Sequence, residues 1–301
     1  MTVFFLNFYI ITSVGFMIHR FGLEWDHELE EGIFSSLRND SIVEIIPENF
    51  FDDRFSETLE RLSAANVPVS VHGVLLSIGT IEELNTAHLD RVLEIAQKVP
   101  MVSLSEHLAL TRVGEMDLDA LTPLAWERSV ADVVCKKIDT IQQRIQVPFY
   151  IENVANRFMV PGSEWSETEF INYITRKTGC GLLLDLYNVH VNAANFKFDP
   201  YEWIDSLDMP SVKVIHLAGG YEDPDKFLMD SHDNEVPDRA WELFRYVVER
   251  AGPLDTIIER TSNFPEFQSL EDELDHARSI VAEVYRDNSR VSEPNQESTR
   301  V

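Results

Sequence analysis

The chain has 301 residues, of which 44% are hydrophobic, a proportion ample for a packed core. Its 25 basic and 52 acidic residues give a formal charge of -27, which would repel nucleic-acid phosphates and anionic lipids before any specific contact formed. We therefore predict no nucleic-acid or membrane partner; a cationic peptide or a metal ion would be attracted, unless the charge serves only solubility.

Residues 1–18 contain no charged side chain. A stretch of about 20 apolar residues can span a bilayer, but Asn7, Thr12 and Ser13 interrupt this one. It also lacks the basic segment and the small-residue cleavage site of a secretory signal. We interpret it as a short extension that leads into a buried strand at residues 14–17.

Short runs of apolar and β-branched residues alternate with longer amphipathic stretches along the chain. This pattern is typical of repeated strand–helix units with a parallel sheet, and eight parallel strands can close a barrel. The predicted strands are residues 14–17, 42–46, 67–71, 101–104, 148–151, 181–184, 213–215 and 256–258.

Amphipathic stretches between these runs are predicted as helices. The long ones are residues 54–65, 80–98, 123–143, 167–177, 237–251 and 270–285, with shorter ones near 28–37 and 200–207. Apolar residues in them recur at the spacing of one helical face, which we expect to pack against the barrel.

No linker rich in Gly, Ser or Pro divides the chain, so we predict one domain. Its fold class is α/β, a single (β/α)8 TIM-like barrel over residues 1–286. The polar tail, residues 287–301, is predicted to be disordered.

The chain contains two cysteines, Cys135 and Cys180, and they form no Cys-x-x-Cys motif. We interpret both as buried structural thiols, in preference to redox groups or metal ligands. Unpaired thiols are typical of a reducing compartment, so we expect a cytoplasmic protein.

The ends of the predicted strands carry an unusual set of polar residues. Catalytic groups of such barrels lie at the C-terminal strand ends, where the connecting loops form a concave mouth. From the third strand to the eighth, the end residues are His72, Glu106 with His107, Glu152 with Asn153, Asp185, His216 and Glu259. The whole chain has nine histidines and 52 acidic residues, so chance alone does not predict six consecutive strands ending in them.

Imidazole and carboxylate groups without cysteine suit iron, manganese or zinc better than a softer metal. Asp230 and His232, in the segment MDSHD, could reach the same mouth as metal donors or could stabilise their own loop by a hydrogen bond. Asn153 and Asn188 could each bind metal through the amide oxygen or brace a loop. His88, in a predicted helix, is expected to be a solvated surface histidine.

Each of these groups also has a purely structural interpretation. A single histidine such as His72, His107 or His216 would most simply be a hydrogen-bonded core residue. The buried carboxylates could instead form ion pairs with Arg157 or Arg260. We favour a metal site, because all these groups converge on one mouth and a cation would compensate the carboxylates.

Several short segments along most of the chain carry a family resemblance. They are EIIPENF at 44–50, VSVHGVLLSIG at 69–79, HLDR at 88–91, SEHLA at 105–109, IEN at 151–153, TGCGLLLDLYNVHVNAAN at 178–195, IHLAGG at 215–220, DSHD at 230–233 and IIE at 257–259. In this order they resemble the multinuclear non-haem iron-dependent oxidative enzymes, a bacterial family that includes oxidases of methanobactin and thiaglutamate biosynthesis.

The resemblance implies an oxidoreductase with two or three iron ions that uses dioxygen to modify a ribosomally made precursor peptide, often at cysteine, during natural-product biosynthesis. It also implies a partner protein that recognises the leader of that peptide. The implied iron ligands are His72, His107, Glu152, Asp185, Asn188, His216, Asp230, His232 and Glu259. A divalent-metal hydrolase, a sugar isomerase and a non-catalytic metal store are the alternatives.

The chain departs from the family pattern at a few positions near the predicted mouth. Tyr187 and His190 replace the usual residues, Glu106 stands where aspartate is common, and Arg260 follows Glu259 where tryptophan is common. These departures leave the implied ligands intact, but the resemblance does not identify the substrate.

Overall fold

The computed structural model describes residues 19–114 and 116–291. Eight parallel strands form a closed barrel in which each strand pairs with its neighbours in chain order, and the first strand pairs with the eighth. The strands are β1 Phe21–Glu24, β2 Ser41–Ile45, β3 Val69–Gly73, β4 Met101–His107, β5 Phe149–Glu152, β6 Gly181–Asp185, β7 Val212–Leu217 and β8 Asp255–Ile258. The predicted (β/α)8 TIM-like fold is confirmed.

Seven of the predicted strands coincide with β2 to β8, but the position of the first strand is wrong. The structure forms β1 from Phe21–Glu24, whereas the predicted run at residues 14–17 lies outside the described residues. Glycine and glutamate have low strand propensity, so the sequence FGLE gives a weak local signal. Pairing with β2 and β8 buries all four residues and makes the strand.

Across the described residues, nine helices surround the barrel. They are α1 Glu30–Ser36, α2 Ser56–Ala65, α3 Thr86–Ala96, α4 Arg128–Gln142, α5 Glu167–Thr178, α6 Leu186–Phe196, α7 Pro200–Asp205, α8 Asp238–Ala251 and α9 Phe267–Val291. Short 3-10 turns occupy Pro47–Phe50, Asp53–Phe55 and Met209–Ser211. Among these helices, none is long and apolar enough to cross a bilayer.

The helices differ from the prediction at four places, one of which is the start of α4 at Arg128, five residues later than predicted. Helix α6, which the sequence did not predict, begins immediately after β6, because the Asp185 carboxylate accepts a hydrogen bond from the Asn188 N–H and caps the helix. Helix α3 begins at Thr86, so residues 74–85 form a loop at the mouth. Helix α9 continues to Val291, past the predicted start of the tail.

Two antiparallel hairpins were also not predicted. The first pairs Leu110–Val113 with Met116–Thr122 between β4 and α4, and the second pairs Tyr221–Glu222 with Leu228–Met229 between β7 and α8. The second hairpin folds tightly over Gly220, where a Cβ atom would lie 2.1 Å from the Met229 carbonyl oxygen. Only glycine permits so close an approach of two backbones.

The core lies between the barrel and the inner faces of the helices. Val134, Ile138 and Ile141 line one face of α4 and are fully buried, as their spacing predicted. Cys135 and Cys180 are buried and unpaired. Burial raises the pKa of the Cys135 thiol to about 11 and that of Cys180 to about 12, as expected for structural thiols.

Replacing Ile138 with alanine is expected to lower the free energy of unfolding by about 2–5 kcal/mol, because it opens a cavity in a fully buried site. The matched control, Lys136→Ala, removes an exposed side chain from the same helix and is expected to change it by less than about 0.5 kcal/mol. Urea unfolding followed by circular dichroism would measure both. Equal effects would show that this face of α4 does not contribute to the core.

Candidate metal centre

The strand ends place six of the predicted ligands at one mouth of the barrel. Neighbouring strands are in register there: His107 on β4 pairs with Glu152 on β5, and Asp185 on β6 pairs with His216 on β7. Asp230 and His232 join them from the segment after the second hairpin, and Asn188 joins them from α6. Seven of the nine predicted ligands, together with one residue that the prediction missed, form three overlapping groups. Asp230 and Asn188 lie beside these groups.

The first group consists of His72, His107 and Glu152. One Glu152 oxygen, Oε2, lies 3.2 Å from Nε2 of each histidine, and the two Nε2 atoms are 3.4 Å apart. The other ring nitrogen of His72, Nδ1, is 2.9 Å from the Ser105 hydroxyl. Ser105 therefore orients His72 so that its Nε2 faces the other two residues.

The second group consists of Glu152, Asp185, His216 and Glu259, all of them buried. Nδ1 of His216 lies 3.1 Å from Glu259 Oε1 and 3.4 Å from Glu152 Oε1. One donor atom from each of the four residues lies within 4.8 Å of the others. This spacing is compact enough for one ion to contact all four.

The third group consists of Glu24, His232 and Glu259. His232 Nδ1 lies 3.6 Å from Glu259 Oε2, and its Nε2 lies 2.6 Å from Asp230 Oδ1. His232 has a backbone φ of +50°, which is uncommon for a residue other than glycine and places its ring at the mouth. Glu24 ends β1, so it was missed because the first strand was placed too early.

Two carboxylates connect the three groups. Glu152 belongs to the first and second groups, and Glu259 belongs to the second and third. The groups therefore form one continuous array across the mouth.

Strong electrostatic coupling appears throughout the array. Burial, with the neighbouring Glu259 and Glu44 charges, raises the pKa of Glu24 to about 8. Burial opposes the charged form of Glu259, but the charges of His216 and His232 outweigh it and lower its pKa to about 2. The carboxylates raise the pKa values of His216 and His232 despite burial, and burial raises the pKa of Asp185. In the absence of other cations, protons on both imidazole and carboxyl groups therefore offset the negative charge. A metal ion would replace those protons.

Buried polar atoms in the array lack well-aligned hydrogen bonds. Among the described residues these atoms include Glu152 Oε2, Asp185 Oδ2, Asn188 Oδ1, Asp230 Oδ1, Glu259 Oε2, His232 Nε2 and His216 Nδ1. Buried polar groups are normally paired, so such a concentration requires an explanation. These atoms fit the donor set of a multinuclear metal centre.

The two asparagines have different surroundings. Asn153 uses both ends of its amide on the backbone of Asp185, donating to the carbonyl at 2.9 Å and accepting from the N–H at 3.0 Å. Asn188 donates to the Asn153 carbonyl at 3.1 Å, but its Oδ1 has no hydrogen-bond partner. Asn153 is therefore a brace, and Asn188 keeps an oxygen that could bind metal.

Glu106 belongs to none of the groups. Its carboxylate accepts hydrogen bonds from the N–H groups of His107 and Leu76, and so braces the loop after β3. Next to it, Glu48 accepts from His88 Nε2 at 2.9 Å. The prediction of a solvated His88 is wrong, because this residue is buried in contact with Glu48.

The ion-pair alternative is also wrong. Arg260 faces Glu273 on α9 at 3.6 Å. Within the described ranges, neither Arg260 nor Arg157 forms an ion pair with Glu152, Asp185 or Glu259. Among the residues that the structure describes, the ion-pair partners of Glu152 and Glu259 are all histidines.

The fold is similar to that of two enzymes of known structure. An L-ribulose 3-epimerase structure superposes with a TM-score of 0.58 at 13% identity, covering 93% of this chain and all of that chain. Endonuclease IV from Thermus thermophilus superposes with a TM-score of 0.57 at 19% identity, covering 88% of this chain and 99% of that one. At these identities the likeness establishes the fold alone.

Two bacterial relatives are similar over most of their length. A UPF0276 protein of Paraburkholderia phytofirmans is 35% identical over 268 residues, which cover 87% of each chain. A UPF0276 protein of Caulobacter vibrioides is 34% identical over 239 residues, covering 79% of this chain and 85% of the relative.

Residues 20–282 match the model of a family described as the RiPP precursor modification enzymes MbnB/TglH/ChrH, where RiPP denotes a ribosomally synthesised and post-translationally modified peptide. This match spans almost the whole described barrel and confirms the family resemblance. The chain is a member of the MbnB/TglH/ChrH family of RiPP precursor modification enzymes.

Proposed function

We propose that the protein is a multinuclear non-haem iron enzyme that uses dioxygen to oxidise a ribosomally made precursor peptide at cysteine. The observation that carries this proposal is the array of three overlapping groups, in which Glu152 and Glu259 are each shared. Membership of a family described as modifying RiPP precursors supports a peptide as the substrate.

The donors in the array support iron as the metal. They are imidazole nitrogens and carboxylate oxygens, with Asn188 Oδ1 nearby, and this mixture suits non-haem iron. Three groups would hold up to three ions. The proposed ligands are the nine residues predicted from the sequence, with Glu24 added from the third group.

The residues around the donors hold each ligand in one orientation. The Ser105 hydroxyl holds His72 so that its Nε2 points into the first group. The Asn188 N–H donates to Asp185 Oδ1, and Asp185 Oδ2 remains available to bind an ion. Bound iron would offer coordination positions to a thiolate and to dioxygen, and it would transfer electrons between the two. These hydrogen bonds would hold His72 and Asp185 in place before an ion binds.

Exposure differs along the array and limits where a substrate can enter. Side chains of the central residues Glu152 and His216 are 2% and 0% exposed. At the two ends, His107 is 12% exposed and His232 is 17% exposed. A substrate thiolate would therefore reach an end of the array first, while the centre stays shielded from water.

The second group alone supports a different function. Glu152, Asp185, His216 and Glu259 would suffice for a single divalent ion, as a metal-dependent hydrolase or a sugar isomerase would use. Such an enzyme would leave the paired His72 and His107 without a role. The two outer groups therefore favour the multinuclear oxidase.

Protein purified without oxygen or chelators is expected to contain about two or three iron ions per chain, because the three groups offer matching donors. Metal analysis with Mössbauer spectroscopy would measure this, and an oxygen electrode would record uptake with a cysteine-containing precursor peptide. Stoichiometric zinc without iron would instead support the hydrolase. Iron without oxygen uptake on any thiol peptide would support a metal store.

The sharing of Glu152 predicts a larger metal loss than a single-site ligand would give. Glu152→Gln is expected to lose about two metal equivalents, because it removes a charged oxygen from two groups, whereas His72→Ala loses about one. The matched control is Glu167→Gln, since Glu167 is another buried carboxylate, whose hydrogen bonds within the described residues go to Trp203 and Asn156. Full metal content in Glu152→Gln, or equal loss in the control, would contradict the shared role.

A carboxylate behind the array supports His216. Glu44 and His216 are both fully buried, and Glu44 Oε1 lies 3.0 Å from His216 Nε2. The Ser70 hydroxyl donates to the other oxygen of Glu44 at 2.8 Å and fixes its position. Metal-binding histidines commonly direct their second nitrogen to a carboxylate, which sets the tautomer and leaves the first nitrogen for the metal.

Replacing Glu44 with glutamine is expected to weaken metal binding in the second group by roughly 10–100-fold, because the amide holds His216 less firmly. Competition with a calibrated chelator would measure the affinity. Ser70→Ala keeps the carboxylate and is expected to show a smaller change. Unchanged affinity in Glu44→Gln would contradict an orienting role.

A further inference from the structure

Exposed apolar side chains are concentrated at the mouth of the barrel. Of the seven large ones exposed in the described residues, six lie on loops at the C-terminal strand ends. Five of these six belong to the loops after β3, β4 and β5, and we call them the apolar rim: Ile81, Val113, Met116, Phe158 and Met159. Exposed apolar patches of this kind mark interaction sites.

The loops that carry the apolar rim are joined by hydrogen bonds. The Ser77 hydroxyl accepts from the N–H groups of Thr111 and Arg112, at 2.9 and 3.0 Å. On the other side, the Trp165 N–H donates to the Trp126 carbonyl at 2.9 Å, which connects the loop after β5 to the segment before α4. The loops of the apolar rim are therefore held in place by hydrogen bonds, while Ile81 is 85% exposed and Met116 is 67% exposed.

A free strand edge lies beside these side chains. In the first hairpin, Ser77 covers the outer side of the strand Leu110–Val113. The other strand, Met116–Thr122, pairs with that strand alone in the part of the chain that the structure describes. The pairing shifts register between Asp117 and Thr122, and the Asp119 N–H there donates to Asp117 Oδ1 at 3.0 Å. The main-chain groups that the exposed edge offers to an extended peptide are therefore those that flank this bulge.

Negative charge surrounds the apolar rim. Four exposed carboxylates lie on the same loops: Glu82, Glu83, Asp117 and Asp119. Arg157 is an exposed cation in the loop after β5. The local charge thus has the same sign as the net charge of -27 and favours a basic ligand.

We propose that the apolar rim and the free edge of Met116–Thr122 bind an extended basic and apolar segment of the precursor peptide, placing its reacting residue at His72, His107 and Glu152. The strands that carry the rim loops, β3, β4 and β5, also carry these three residues at their ends. Their exposed member is His107, at the same side of the mouth. This inference rests on the peptide substrate proposed above.

The test is a selection of random twelve-residue peptides, displayed on phage, against the purified metal-loaded protein. The selected peptides are expected to be rich in Lys or Arg and in Leu, Ile or Phe. Synthetic labelled copies are expected to bind about tenfold more weakly to the double variant Ile81→Ser with Met116→Ser, as measured by fluorescence anisotropy. The control variant Tyr221→Ser changes another exposed residue, on the loop after β7. It is expected to bind the peptides with the same affinity as the original protein.

Absence of selected peptides, selection of acidic ones, or equal weakening by Tyr221→Ser would each overturn the proposal. So would a dimer that the double variant dissociates, because a second copy would then cover the rim. Iron content and oxygen uptake, measured on the same preparations, distinguish a failure of this docking surface from a failure of the proposed function. If the original protein bound no peptide but kept its iron and its oxygen uptake, the docking surface alone would be refuted.

Discussion

The constraint on which this structure depends is the burial of several carboxylates in one small volume. Glu24, Glu44, Glu152, Asp185 and Glu259 are all buried at or behind the mouth of one barrel. Carboxylates removed from water need a compensating cation or hydrogen bonds. The neighbouring strands place histidines next to these carboxylates. The closed barrel makes this arrangement possible, because each strand contributes one end to the same ring and the surrounding apolar core holds the ends in register.

Behind the array, polar side chains inside the barrel support it. The hydroxyls of Ser70 and Ser105 contact Glu44 and His72, and Ser103 donates to Ser70 at 3.3 Å. These residues occupy positions where apolar side chains usually fill a barrel of this type. The barrel interior therefore serves the orientation of the mouth residues as well as packing.

The sequence predicted seven of the barrel strands because buried apolar runs mark them. Six of the nine proposed ligands follow from the His, Asp or Glu residues that end these runs, whereas Asn188, Asp230 and His232 were proposed from the family resemblance and the segment MDSHD. Glu24 could not, since its strand has the weak sequence FGLE and becomes a strand only by pairing with its neighbours. The hairpins and His88 were missed for a related reason: their conformations depend on contacts with distant segments, such as Ser77 and Glu48, that local propensity does not encode.

The sharing of Glu152 and Glu259 has a consequence for how the centre fills. In the proposed centre, an ion that entered or left the second group would change the ligands of its neighbour, so occupancy of the three groups would be thermodynamically linked. Linkage is reciprocal: an ion that tightens the binding of its neighbour is itself held more tightly by that neighbour. A partly loaded sample would then be a mixture of molecules that differ in ligand geometry, and its average metal content would not report the fraction of competent enzyme.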